Sequence, residues 1–177
     1  HAKLGSGDDR GALVRYLLND FTNEAQRAFL FASLKDRSMQ VRINALEHIK
    51  DLTLSNNEYA LLMDLLSLKT PEIRKNIIEI ILKTEEAQRA DLLKALLADK
   101  VENRRLAGLD ILLALKKDKT VNDKTITGLL TLLPKSTEKE QVLIQTLQAS
   151  EAEDYSKENG FGIYDANEFP DLKPDLT

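Results

Sequence analysis

The 177-residue chain carries 25 basic and 29 acidic side chains for a formal net charge of −4, with 42% hydrophobic residues, 31% charged residues and no cysteine. That hydrophobic content excludes wholesale disorder, the lack of cysteine excludes a disulfide framework and cysteine metal sites, and no apolar run reaches the roughly 18 to 20 residues of a membrane span. The charge is uneven: residues 151–177 hold two lysines against eight acids, a net −6, which leaves residues 1–150 near neutral at +2 and gives no electrostatic reason to expect non-specific binding to phosphates.

The opening His1-Ala2-Lys3-Leu4-Gly5-Ser6-Gly7 reads as an expression-tag remnant, so residues 1–9 are expected to be that remnant or an unstructured start. A short helix is expected over residues 10–20, with Leu13, Val14, Leu17, Leu18 and then Phe21 on one stripe; it is half of an incomplete unit that closes one end of an array. Thr22 and Asn23 can cap a helix over 24–35, faced by Ala28, Phe29, Leu30, Phe31 and Leu34. Its partner runs over 39–52, with Val41, Ala45, Leu46, Ile49 and Leu52 at helical spacing. Asn56 or Asn57 caps the next helix, whose buried face is Tyr59, Leu61, Leu62, Leu65 and Leu66, and Pro71 opens its partner at a first-turn position. The third pair covers 86–98 and 102–116. The fourth is less regular: the connection 116–124 is longer, one helix over 123–133 stops at Pro134, and Ser136 or Thr137 caps another that runs to 149.

These elements repeat. Thirty-two residues after Arg42, Arg74 follows Thr70-Pro71-Glu72-Ile73, with Ile77, Ile78 and Ile81 behind it; Asp99 to Arg105 has the same six-residue separation as Asp36 to Arg42. Leu30, Leu61 and Leu92 are spaced 31 residues apart, and so are Leu34, Leu65 and Leu96. A period in the low thirties means stacked helical pairs with a shared core.

The run Asp-x-x-x-x-Val-Arg-x-x-Ala-Leu at Asp36 to Leu46 resembles the second-helix signature of HEAT repeats, over about residues 24 to 149. The resemblance implies an all-α fold, a right-handed α-solenoid of about four antiparallel helical pairs, occupying 10–150 with an irregular C-terminal tail after it. It also implies a ladder between the turn aspartate and the early arginine of the second helix. By position this is Asp36 with Arg42 and Asp99 with Arg105, while Arg74 matches but Leu68 stands where its aspartate would be. A second resemblance, carried by Asn159-Gly160-Phe161-Gly162-Ile163-Tyr164-Asp165, is to a segment following helical repeats in large bacterial proteins related to a molybdate-metabolism regulator. It implies that the chain is a piece of a longer protein.

The tail 151–177 is acidic yet holds four of the nine aromatics, which suits either a linker or a C-terminal cap in which Tyr155, Phe161, Tyr164 and Phe169 bury together. Nothing in the chain assembles a reaction centre. His48 stands where Ile80 and Ile111 stand in the other repeats and reads as a packed histidine; no Gly-x-Ser-x-Gly elbow, phosphate loop or metal-ligand set is present. Arg42, Arg74 and Arg105 could line up as cations for phosphate, but structural pairing with carboxylates explains them better, and the second-helix positions Asn44, Glu47, Asn76, Glu79 and Asp110, expected to be exposed, dilute a basic stripe. The expected function is therefore a non-catalytic, cytoplasmic scaffold or regulatory module that binds a protein partner, with no enzyme activity, cofactor, metal or membrane association. The alternative is a HEAT-like nucleic-acid-binding or DNA-glycosylase-related protein.

Overall fold

Nine α-helices and no strand occupy residues 5–149, the residues that the computed structural model describes. The chain divides into two units, His1–Leu147 and Gln148–Thr177.

The helices begin where side chains can satisfy the free N–H groups of a first turn. α1 (Gly7–Leu17) opens on a capping box in which Ser6 accepts from the Asp9 N–H while the Asp9 carboxylate accepts from the Ser6 N–H. It therefore starts inside the stretch expected to be an unstructured remnant, three residues before the expected boundary. α2 (Glu24–Ser33) is capped by Asn23, which accepts from the N–H groups of Ala25 and Gln26. α3 (Met39–Ile49) follows the Asp36 turn. α4 (Asn56–Leu65) is capped by Ser55 in a second capping box with Glu58, so Asn56 is already helical and the expected Asn cap is corrected. Pro71 begins α5 (Pro71–Leu82), where its missing N–H costs nothing. α6 (Glu86–Leu97) and α7 (Glu102–Lys117) form the next pair. Asn122 caps α8 (Asp123–Leu130) through the Thr125 N–H, and Thr137 leads into α9 (Glu138–Gln148).

α7 ends with a non-glycine residue in the left-handed region, Lys119 at φ 54°. The Thr120 N–H donates to the Leu115 carbonyl at 2.9 Å and the Lys119 N–H to Lys116 at 2.9 Å, which is the double bond pattern of a Schellman stop.

Packing follows the sequence period. α1 meets α3, α3 meets α5 and α5 meets α7, while α2, α4 and α6 each pack on the helix that follows; α6 also meets α8. α2 and α4 start 32 residues apart (24 and 56), as do α3 and α5 (39 and 71). Of the leucines expected on the buried face of α4 and its C-cap, Leu62 and Leu66 are accordingly fully buried, in step with Leu30 and Leu34, while Leu61 and Leu65 are only partly buried. One continuous core results, with Val14, Leu46, Ile49, Ile77, Ile81, Leu97, Leu109, Ile126 and Leu147 all at 2% exposure or less. Each such residue contributes roughly 1.5 to 3 kcal/mol of burial. Gly108 lets α7 approach α6 closely: a Cβ there would lie 3.1 Å from Leu97 Cδ2 and 3.2 Å from Leu96 Cβ.

Polar contacts between elements recur at about one period. Asn44 donates to the Gly11 carbonyl at a separation of 33 residues, Arg27 pairs with Glu58 at 31, Lys83 with Asp51 at 32, and Thr137 donates to Glu102 at 35. Asn44 and Asn76, expected on the surface, are buried at 8% and 9% exposure because both amides are satisfied internally, Asn76 by the Glu72 carbonyl.

Candidate functional site: a groove across three helices

The groove is built on α5, α7 and α9, and one of the three repeated arginines, Arg74, lines it. Arg42, Arg74 and Arg105 are each the fourth residue of α3, α5 and α7. The expected partners are not the ones they take. Asp36 is held by Arg10 of α1 through two bonds, Nε to Oδ2 at 2.7 Å and Nη2 to Oδ1 at 3.0 Å, and it accepts the Ser38 N–H at 2.7 Å. The Arg10 guanidinium holds the Asp36 carboxyl down at about 2. Asp99 likewise accepts the Val101 N–H at 2.7 Å and pairs with Arg104 at 2.9 Å. Both aspartates close their own turns and pair with an arginine other than the expected one, Asp36 with Arg10 and Asp99 with Arg104.

The arginines turn instead to the next odd-numbered helix. Arg74 pairs with Asp110 of α7, and Arg105 pairs with Glu140 of α9 at 2.6 Å. Arg42 has no carboxylate among the described residues, and the Nε–H groups of Arg42 and Arg74 are buried without a hydrogen bond. The Arg105–Glu140 pair is nearly dry, with side-chain exposures of 7% and 0%. Burial pushes the Glu140 carboxyl up, but bonds from Arg105 and from the Thr137 N–H outweigh it and hold the group below its usual range. Asp110 behaves oppositely: burial raises it, and Arg74 offsets that only in part.

Beside the Arg74–Asp110 pair lies a groove of about 740 Å³, lined from α5, α7, α9 and the turn before α5. Its apolar surface comes from Leu68, Ile78, Leu106 and Leu143. Lys69, Lys75 and Lys139 stand exposed along it, and Glu79 and Asp110 are half-buried within it. The turn that forms one wall is tied to the start of α7: Asn103 donates to the Ser67 carbonyl at 2.9 Å, and Arg104 donates to Ser67 Oγ at 3.2 Å and to Asp64 at 2.7 Å. The opposite wall, α9, is tied to α7 by Glu140 and by Thr137 Oγ1, which donates to Glu102 at 2.8 Å.

Of the residues singled out in the sequence, the structure thus gathers Arg74, Glu79 and Asp110 at the groove and leaves Asp36, Arg42 and Asp99 away from its lining. Lys69, Asn103, Lys139 and Leu143 were not legible as site residues, since only the approach of α5, α7 and α9 brings them together. Tyr155, Phe161, Tyr164 and Phe169 lie outside the described residues. His48 is tied into the packing: its Nε2 lies 2.9 Å from the Val14 carbonyl, which can only accept, and its ring sits 5.3 Å from that of Phe21. Among the described residues no three His, Cys, Asp or Glu side chains come together as a metal site, and no helix is long and apolar enough to cross a membrane.

No curated protein matches the chain, and no solved structure does. A family model does match, and over residues 1–177: the chain belongs to a family of unknown function, DUF5724.

Proposed function

We propose that the chain is a non-catalytic protein-binding module, a scaffold or regulatory element of a larger protein, built as a HEAT-like α-solenoid of about four antiparallel helical pairs. The observation that carries the proposal is the groove across α5, α7 and α9, an apolar trough with charged edges that spans three successive helices of the same repeat position. The series of contacts α1 to α3 to α5 to α7, and polar bonds one period apart, support the solenoid. The resemblance of residues 159–165 to large bacterial proteins related to a molybdate-metabolism regulator supports the larger context.

The competing function is nucleic-acid binding. The two carboxylates in the groove and the absence of any aromatic side chain along it weigh against phosphate tracking and base stacking there. The test is capture of partners from a bacterial lysate by the wild-type chain and by Ile78→Asp, beside DNA binding measured at rising salt. A protein retained by the wild type and lost from Ile78→Asp is the expected result; DNA binding whose affinity falls steeply with salt would overturn it in favour of the alternative.

A further inference from the structure

We infer that the groove takes an acidic peptide segment of a partner protein, anchored by apolar side chains, an inference that rests on the protein-binding function proposed above. Both carboxylates are committed. Asp110 is paired with Arg74, and Glu79 accepts from Lys50 at 2.8 Å. The lysines are not committed in the same way. Lys69 and Lys139 make no ion pair or hydrogen bond among the described residues, and Lys75, 79% exposed, has only Glu79 at 4.0 Å.

The lining thus sets four cations, Lys69, Arg74, Lys75 and Lys139, against two anions, Glu79 and Asp110, and Lys69, Lys75 and Lys139 are exposed to an occupant. The residual potential is positive, although residues 1–150 as a whole are close to neutral. Complementary charge at such a rim governs encounter rate and partner choice more than total affinity. Affinity must then come from the apolar surface, where Leu68 is 39% exposed and Ile78 and Leu143 are half-buried. A polyanion without apolar side chains would leave that surface wet, and an apolar segment without acids would leave the lysines unmatched. An acidic segment with apolar residues at intervals satisfies both, and a volume of about 740 Å³ accommodates several side chains at once.

The test is selection of a display library of random peptides of roughly 12 residues on the full chain, followed by fluorescence anisotropy of the enriched peptides. Enrichment of Asp and Glu together with Leu, Ile or Phe is expected. Binding should fall on the order of ten-fold or more in the double variant Lys69→Glu/Lys139→Glu, and should weaken as NaCl rises from about 50 to 200 mM. Both lysines are exposed and make no internal bond, so this variant should keep the wild-type circular dichroism and melting temperature. Acidic peptides that bind the double variant as well as the wild type would overturn the assignment to this groove. Neutral or basic peptides that win the selection and are lost from Ile78→Asp would overturn the acidic occupant while leaving the protein-binding function intact. No enrichment over a bare-support control would overturn both.

Discussion

Removing Arg105 should be the most damaging single truncation of a charged residue in the described part of the chain. Its Nε donates to Glu140 at 2.6 Å, and its Nη1 donates to the carbonyls of Asp99 and Lys100 at 3.0 and 2.9 Å. In Arg105→Ala the two carbonyls are near enough to solvent to gain water, since Asp99 is half-buried and Lys100 exposed. Glu140 is not: at 0% exposure its carboxylate keeps the Thr137 N–H at 2.7 Å but no cation. A buried ion left without its partner costs about 3 to 5 kcal/mol, and the near-zero exposure of both side chains puts this pair in that class.

Urea unfolding followed by circular dichroism near neutral pH measures the loss. Its pH dependence is a second, independent readout. In the wild type the folded pKa of Glu140 is depressed, so its contribution is complete above the unfolded value of about 4.3 and disappears as pH falls through the lower folded value. In Arg105→Ala the carboxyl has lost its cation and burial raises its pKa; the penalty then applies above the raised pKa and is relieved as the group protonates on acidification. The deficit of the variant should therefore shrink on mild acidification. The double variant Arg105→Met/Glu140→Leu should return to within about 1 kcal/mol of the wild type, because an apolar pair carries no desolvation cost. A loss below about 1 kcal/mol for Arg105→Ala, or a deficit that does not change with pH, would refute the argument.

Arg74→Ala should cost about 1 kcal/mol or less, because the Arg74 and Asp110 side chains are 24% and 34% exposed, and Arg42→Ala, with no carboxylate to strand, should cost less still; chemical denaturation of the two side by side checks the order. The carboxyls of Asp36 and Glu58 are held at about 2 by Arg10 and Arg27, so the stability they supply is present above the unfolded values of about 3.9 and 4.3 and should be lost between there and about pH 2, a slope that Glu58→Gln should reduce in an acid titration. Lys119→Gly should stabilise the chain by up to about 1 kcal/mol in thermal unfolding, because glycine carries no Cβ penalty at φ 54°, against which stands its greater freedom when unfolded.

The helices and their period were readable because each apolar stripe recurs at 3.6 residues and the stripes themselves recur in the low thirties; Leu30, Leu46 and Ile77 fall where the pattern puts them. The cap of α4 was also readable and was missed: Ser55-x-x-Glu58 is a capping box, and it outranks the two asparagines behind it. The ion-pair partners are another matter. Six residues separate Asp36 from Arg42, but the aspartate turns back on Ser38 and out to Arg10, while Arg74 and Arg105 reach residues 36 and 35 positions ahead. Those choices depend on how one helix crosses the next, which no local pattern encodes. The groove lysines were hidden for a related reason, since a charge count over 150 residues averages away three cations that only packing assembles.

The same buried pair that dominates stability also places one wall of the groove. Glu140 lies one residue after Lys139 and three before Leu143, on the short helix that supplies both to the groove, and its bond to Arg105, like that of Lys116 to the Leu147 carbonyl at 2.7 Å, ties α9 to α7. α9 is not among the helices joined in the close succession α1 to α3 to α5 to α7, so its polar ties to α7 bear on its placement. If Arg105–Glu140 sets that position, Arg105→Met should weaken peptide binding several-fold at a temperature where the variant is still folded, whereas Arg42→Met, the same substitution at the equivalent site of α3, should leave it unchanged. Because Arg105 does not line the groove, a loss of affinity would have to pass through the placement of Lys139 and Leu143. Equal affinities for the two folded variants would separate the two roles of α9, leaving Arg105–Glu140 as a stability element with no hold on the binding surface.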